Sequence, residues 1–203
     1  MNDQVEDRQR SPAHEILELL QSELAAAAPF FRTGERNERL RPGIIRRLVA
    51  ELMTDDERAA YLGLGEGCRV RENAKIISPE KLVCGKYVNV GEGSILDASG
   101  GLEIGDHTSI GLYVMVWTHS SHLANLTLRN VPGSTLITRK PTRIGRGCFL
   151  AGHSVVLPGV TIGDRTMVLP GSVVANDVEG GCIVAGAPAQ KFTSWADMVR
   201  PQS

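Results

Sequence analysis

In Thr142–Val174, TRIGRGCFLAGHSVVLPGVTIGDRTMVLPGSVV, an aliphatic side chain returns at every sixth residue: Ile144, Leu150, Val156, Ile162, Val168 and Val174. Cys148, Ser154, Val160, Thr166, Ser172 and Val178 repeat beside them, all small or β-branched. A helix repeats every 3.6 residues and a strand every two, so neither accounts for six. A six-residue repeat rich in glycine fits a parallel β-helix. Each hexapeptide gives one short strand and one corner, with its aliphatic turned to the axis. Three make a coil, and coils stack through their backbones at about 4.8 Å.

Upstream, Ile104, Ile110 and Val116 keep the period, with Thr108 and Val114 at the small position. Val90, Leu96 and Leu102 keep it in a second register, shifted by two at Gly100-Gly101, and Val70 and Ile76 begin the prism. From Thr118 to Arg143 the period lapses, so residues 118–143 are expected to leave the coil as a loop. Long loops in regular scaffolds are seldom idle. This one holds two of the five histidines, His119 and His122.

The fold class expected is all-β, a left-handed parallel β-helix over residues 68–192. Residues 1–67 form an N-terminal helical segment and 193–203 a tail. Residues 1–10 read as disordered. Ser11-Pro12 is a helix start, followed by apolar residues at helical spacing up to Pro29. A second helix is expected from Ile44 to Leu62, after a break at Pro42-Gly43. TSWADMV, holding Trp195, is expected as a short helix over the last open coil edge.

The chain has 203 residues, with 22 Lys and Arg against 23 Asp and Glu, so no basic field invites nucleic acid or anionic lipid. No apolar run approaches the roughly 20 residues of a membrane span. The polar start MNDQVEDRQRSP is no secretory leader. Four cysteines without a C-x-x-C pair argue for free thiols, and a cytoplasmic protein is expected.

The repeat, together with Lys140–Gly145, Val160–Asp164 and the closing Gly186-Ala187-Pro188-Ala189, resembles the hexapeptide acyltransferases. The similarity is to the xenobiotic, galactoside and maltose O-acetyltransferases and to capsule- and lipopolysaccharide-modifying relatives. It implies transfer of an acetyl group from acetyl-CoA to a hydroxyl of a carbohydrate, within a homotrimer. It also implies a histidine base at the start of the loop, since a neutral alcohol is a poor nucleophile and a placed base gives about 10²–10⁴ in rate. The family spacing falls between His119 and His122. Relatives with a paired histidine use the second, so His122 is assigned the base and His119 its neighbour, with the reverse order open.

For the donor, the resemblance points to the corners at Ala151, Gly152, Gly171 and Ser172. Pro170, which has no N–H, departs from the family pattern. The nucleotide phosphate is assigned to Lys191, with Arg143 and Lys140 as alternatives. Asp97 and Trp117 are candidates for contact with the acceptor. His107 and His153 fall where side chains point outward. No metal is expected. The alternative is a hydratase resembling the carbonic anhydrases of the same architecture, with His107, His119 and His122 as three imidazoles.

Overall fold

The computed structural model describes residues 12–31, 34–131 and 135–194, with side chains from residue 18 onward. Two compact units divide at Arg46/Arg47.

The first unit holds helix α1, Pro12–Ala27, and most of helix α2, Glu35–Ala50. The break expected at Pro42-Gly43 is absent. Pro42 lies inside α2, and the chain breaks later, between Ala50 and helix α3, Asp55–Tyr61. Two local forces set that break. Thr54 N–H donates to Glu57 Oε2 at 2.9 Å, and Asp55, Asp56 and Glu57 place negative charge at the helix start. The guanidinium of Arg58, only 1% exposed, then gathers three carbonyls: Ala50 at 2.7 Å, and Met53 and Val70 at 2.6 Å each. It satisfies the end of α2 and ties α3 to the first coil.

The second unit is the coil. Its three faces are parallel sheets. Face one stacks Arg69–Val70, Asn89–Val90, Ser109–Ile110, Phe149–Leu150, Met167–Val168 and Cys182–Gly186. Face two stacks Lys75–Ile77, Ile95–Asp97, Met115–Val116, Val155–Val156 and Val173–Val174. Face three stacks Leu82–Cys84, Leu102–Ile104, Thr142–Ile144 and Thr161–Ile162. This is the left-handed parallel β-helix of the hexapeptide reading. The repeating aliphatics of the quoted stretch are all buried, at 2% exposure or less.

The register explains the shift at Gly100-Gly101. Phe149 pairs with Met167, a coil of 167 − 149 = 18 residues. Asn89 pairs with Ser109, a coil of 109 − 89 = 20. Upstream coils are thus two residues longer. Leu102 and Ile104 both point into the core of face three, so the apolar period slips there.

Corners are set by left-handed residues. Tyr87, His107, Gly147 and Arg165 mark one corner with positive φ; Gly93, Tyr113, His153 and Gly171 mark another. His107 and His153 are exposed, as their register demands, and stack on Tyr87 at 5.0 Å and Tyr113 at 5.3 Å. At the third-to-first corner the repeated Ile-Gly-Asp has a use. Asp106 Oδ1 accepts the Lys86 N–H and Asp164 Oδ1 accepts that of Arg146, each at 2.8 Å. The four cysteines are free thiols. Burial beside Cys68 pushes the Cys84 thiol up to about 12, away from nucleophilic use.

The end of the coil differs from expectation. Ala189–Ser194 turns back antiparallel on Cys182–Gly186, so Thr193 and Ser194 are strand, because this strand covers the face-one edge directly. The rest of the expected C-terminal helix, Trp195 included, lies outside the described residues, as do residues 1–11. Among the described residues no helix is long and apolar enough to cross a membrane.

Candidate active site

The loop leaves the coil where face two meets face three. Val116 is the last inward residue of its strand, and Thr118 is fully buried at the corner. His119–Ser120 then pairs antiparallel with Thr138–Arg139, His119 opposite Arg139. A short helix α4, His122–Leu126, forms the far side of the loop. The coil resumes at Thr142.

This geometry separates the two loop histidines. His119 Nδ1 lies 2.6 Å from Asp97 Oδ2 and 3.3 Å from Ser99 Oγ, with the Trp117 ring edge-on at 6.1 Å. The ring is half-buried, with its side chain 31% exposed. His122 is exposed on α4, and among the described residues its Nδ1 meets the neighbouring Ser120 Oγ, at 2.7 Å.

Asp97 ends the face-two strand one coil below and is fully buried. Its oxygens are taken by protein donors. Oδ1 accepts the Ser99 N–H at 3.1 Å; Oδ2 accepts the Thr118 N–H and hydroxyl, each at 2.9 Å, as well as His119. Burial alone would raise this carboxyl. Hydrogen bonds from His119, Thr118 and Ser99 outweigh it and hold the group well below the usual carboxylate range. An ionised carboxylate only accepts, so the His119 proton sits on Nδ1 and the lone pair on Nε2.

Ser99 and Thr118 were not singled out from the sequence. The 20-residue upstream coil is the signal that finds them. Ile95 pairs with Met115, so Asp97 stands below Trp117 and Thr118.

The donor-side candidates occupy another edge. Ala151-Gly152 and Gly171-Ser172 share the corner between faces one and two on consecutive coils, where the Gly171 N–H donates to the Gly152 carbonyl at 3.1 Å. Ala151 N–H and Ser172 N–H also bond within the coil, to the Val168 and Leu169 carbonyls. His119 stands at the opposite end of face two, so one chain does not bring this corner and the histidine together.

Lys191 is exposed on the last strand. With Asn176, Asp177, Cys182 and Gln190 it lines a pocket of about 320 Å³. Arg143 points outward from face three and pairs with Glu103 at 3.0 Å, away from that pocket. The three imidazoles of the hydratase alternative do not converge. His107 stacks on Tyr87 at the third-to-first corner, while His119 is held on Asp97. No group of three metal-ligating side chains occurs among the described residues.

Residues 141–176 match the family described as bacterial transferase hexapeptide (six repeats). These residues are the stretch whose six-residue period sets the last full coils. The putative colanic acid biosynthesis acetyltransferase WcaF of Escherichia coli K12 is 33% identical over 128 residues, which are 62% of this chain and 65% of that protein. The chain thus spans just under two thirds of that relative. The hexapeptide-repeat containing acetyltransferase VCA0836 of Vibrio cholerae is 25% identical, with a TM-score of 0.68 over 80% of this chain and 94% of the other. Galactoside acetyltransferase in complex with coenzyme A, at 20% identity, shares the fold with a TM-score of 0.52, over 79% of this chain and 82% of the other.

Proposed function

We propose that this hexapeptide-repeat protein is an acetyl-CoA-dependent acetyltransferase acting on a carbohydrate hydroxyl, with His119 as general base. The pairing of His119 Nδ1 with buried Asp97 carries this reading, because it is the one arrangement here that prepares an imidazole for proton transfer. His119 Nε2 takes the proton of the acceptor hydroxyl as its oxygen forms the new ester bond. The same nitrogen returns the proton to the departing sulfur, so the histidine ends as it began. The thioester supplies the acetyl group. Asp97 orients the ring and balances its transient charge, as the carboxylate does in a Ser-His-Asp triad. This takes the reverse of the order that the resemblance favoured, and His122 becomes a loop residue near the acceptor.

The donor side needs a second copy. Above Lys75, the outward row of face two is an apolar ladder, Ile95, Met115, Val155 and Val173, in consecutive register. Face three carries Val83, Glu103, Arg143 and Thr161 at the matching places, a mostly polar row. An apolar stripe that ends beside a catalytic corner favours contact with another molecule. A closed homotrimer built on face two sets the Ala151-Gly152 corner of one copy against His119 of the next. Gly152 N–H then meets the pantetheine arm, and Lys191 the nucleotide phosphate.

A carbohydrate acceptor is supported by the names of the relatives and by half-buried Trp117 beside His119, a ring suited to a sugar face. Four free thiols fit the reducing cytoplasm, where we place the reaction. Thiol release from acetyl-CoA over a panel of sugars tests the reading. Acceptor-dependent release that His119→Ala abolishes supports it; release independent of His119 overturns it.

A further inference from the structure

The base of the loop is closed by two buried hydroxyls. Thr142 Oγ1 donates to the Trp117 carbonyl at 2.8 Å and accepts the Gly159 N–H at 3.1 Å. Thr118 does more. Its Oγ1 lies 2.8 Å from the Asp97 carbonyl and 2.9 Å from Asp97 Oδ2, and it accepts the Gly100 N–H at 2.8 Å. Its N–H donates to Asp97 Oδ2, and its carbonyl accepts the Lys140 N–H at 2.8 Å. One fully buried residue thus joins the turn 97–101, the start of the loop and its return.

The Asp97 backbone is paired with Ile77, and its Oδ2 is met by Thr118 and His119. Gly100 packs so closely that a Cβ there would lie 2.4 Å from the Thr118 carbonyl. Ser99 holds Oδ1 alone. The position of Oδ2, and with it the direction of the His119 ring, therefore depends on Thr118. A hydroxyl has a single proton. When it is given to Oδ2, two Thr118 donors and His119 surround one oxygen; when it is given to the Asp97 carbonyl, His119 and the Thr118 N–H remain.

We infer that Thr118 is a positioning residue, acting through Asp97 to hold His119 in its Nδ1-protonated tautomer. The inference rests on His119 being the base, but its principal readout does not. In full-length protein labelled with ¹⁵N-histidine, the neutral His119 ring shows a single Nδ1-H tautomer. Thr118→Val, of similar shape but without the hydroxyl, mixes the tautomers; Thr118→Ser restores the single form. In the acetyl-transfer assay Thr118→Val lowers kcat by about 10²-fold, the scale of a misplaced reacting group, with KM for acetyl-CoA unchanged, and Thr118→Ser recovers most of the loss. Should Thr118→Val not fold, Thr118→Cys, with its weaker donor, is read by the same spectra. An unaltered tautomer in whichever variant folds overturns the inference. A tautomer that shifts in protein showing no acetyl transfer upholds the inference and overturns the proposed reaction.

Discussion

Asp97 Oδ2 and His119 Nδ1 are 2.6 Å apart, although 22 residues separate them in the chain, because a 20-residue coil sets Trp117 above Asp97 and the loop adds two more. The carboxylate is wholly buried and the imidazole half-buried, so the pair has one protected end and one end open to a reactant. The two histidines should therefore behave very differently. His119→Ala is expected to lower acetyl transfer by about 10²–10⁴-fold, the usual worth of a placed base, in a protein that still folds but melts somewhat lower because buried Asp97 loses a donor. His122→Ala is expected to stay within about tenfold of the parent, since its imidazole is exposed and pairs with Ser120 rather than with a buried carboxylate. Initial rates of thiol release at saturating acetyl-CoA check both. The opposite ranking would return the role to His122.

Asp97 also ties activity to acid stability. Its carboxyl lies below the ordinary value in the folded chain, so it contributes stability above the unfolded pKa of about 3.9 that is lost as pH falls through the folded one. Asp97→Asn removes that dependence and leaves an amide among donors. Thermal melts of the two proteins should differ by a constant amount from about pH 5 to 8, and the gap should narrow only below about pH 4. A gap that closes near neutrality would mean that Asp97 is not ionised as described.

Much of this architecture is visible in the chain before any coordinates. Ile144 through Val174 repeat every six residues because each fills one side of a triangular section, and a prism face permits little variation. Upstream the same rule is masked. Leu102 and Ile104 both point inward on a longer third side, so the period slips and Asp97 is hard to place beneath the loop. Which of the two histidines meets Asp97 is hidden for a related reason. It depends on His119 pairing across the loop with Arg139, a contact that spacing from Thr118 does not encode. Pro42 misled in the other direction, since α2 runs through it and ends where Arg58 collects the carbonyls.

The interior corner between faces one and two offers a stability test. Ser94 Oγ donates to the Gly111 carbonyl at 2.7 Å, and Ser172 Oγ accepts the Gly186 N–H at 3.2 Å. Ser154, on the same ladder, is fully buried, and its hydroxyl finds no partner among the described residues. A buried hydroxyl without a hydrogen bond costs about 1–3 kcal/mol. Ser154→Ala should thus be neutral or raise stability by about 1 kcal/mol, whereas Ser94→Ala should lower it by a similar amount. Urea midpoints at unchanged m separate the two. Equal losses in both variants would show that Ser154 has a partner after all.

The shared site makes the most distinctive forecast. If His119 of one copy works with the Gly152 corner of another, two inactive chains can repair each other. His119→Ala removes the base and keeps the corner. Gly152→Trp blocks the corner and keeps the base. Each alone should be nearly silent. Co-expressed or unfolded and refolded together, they assemble at random, and about a quarter of the sites receive an intact histidine and an intact corner. Activity should return to about that fraction of the parent, and only in the mixed sample. Placing Val155→Asp in both chains puts a charge on the apolar ladder of face two. It should prevent the recovery and shift the mass measured by light scattering toward the single chain. A site confined to one chain would give no recovery at any mixing ratio, even with the assembly intact.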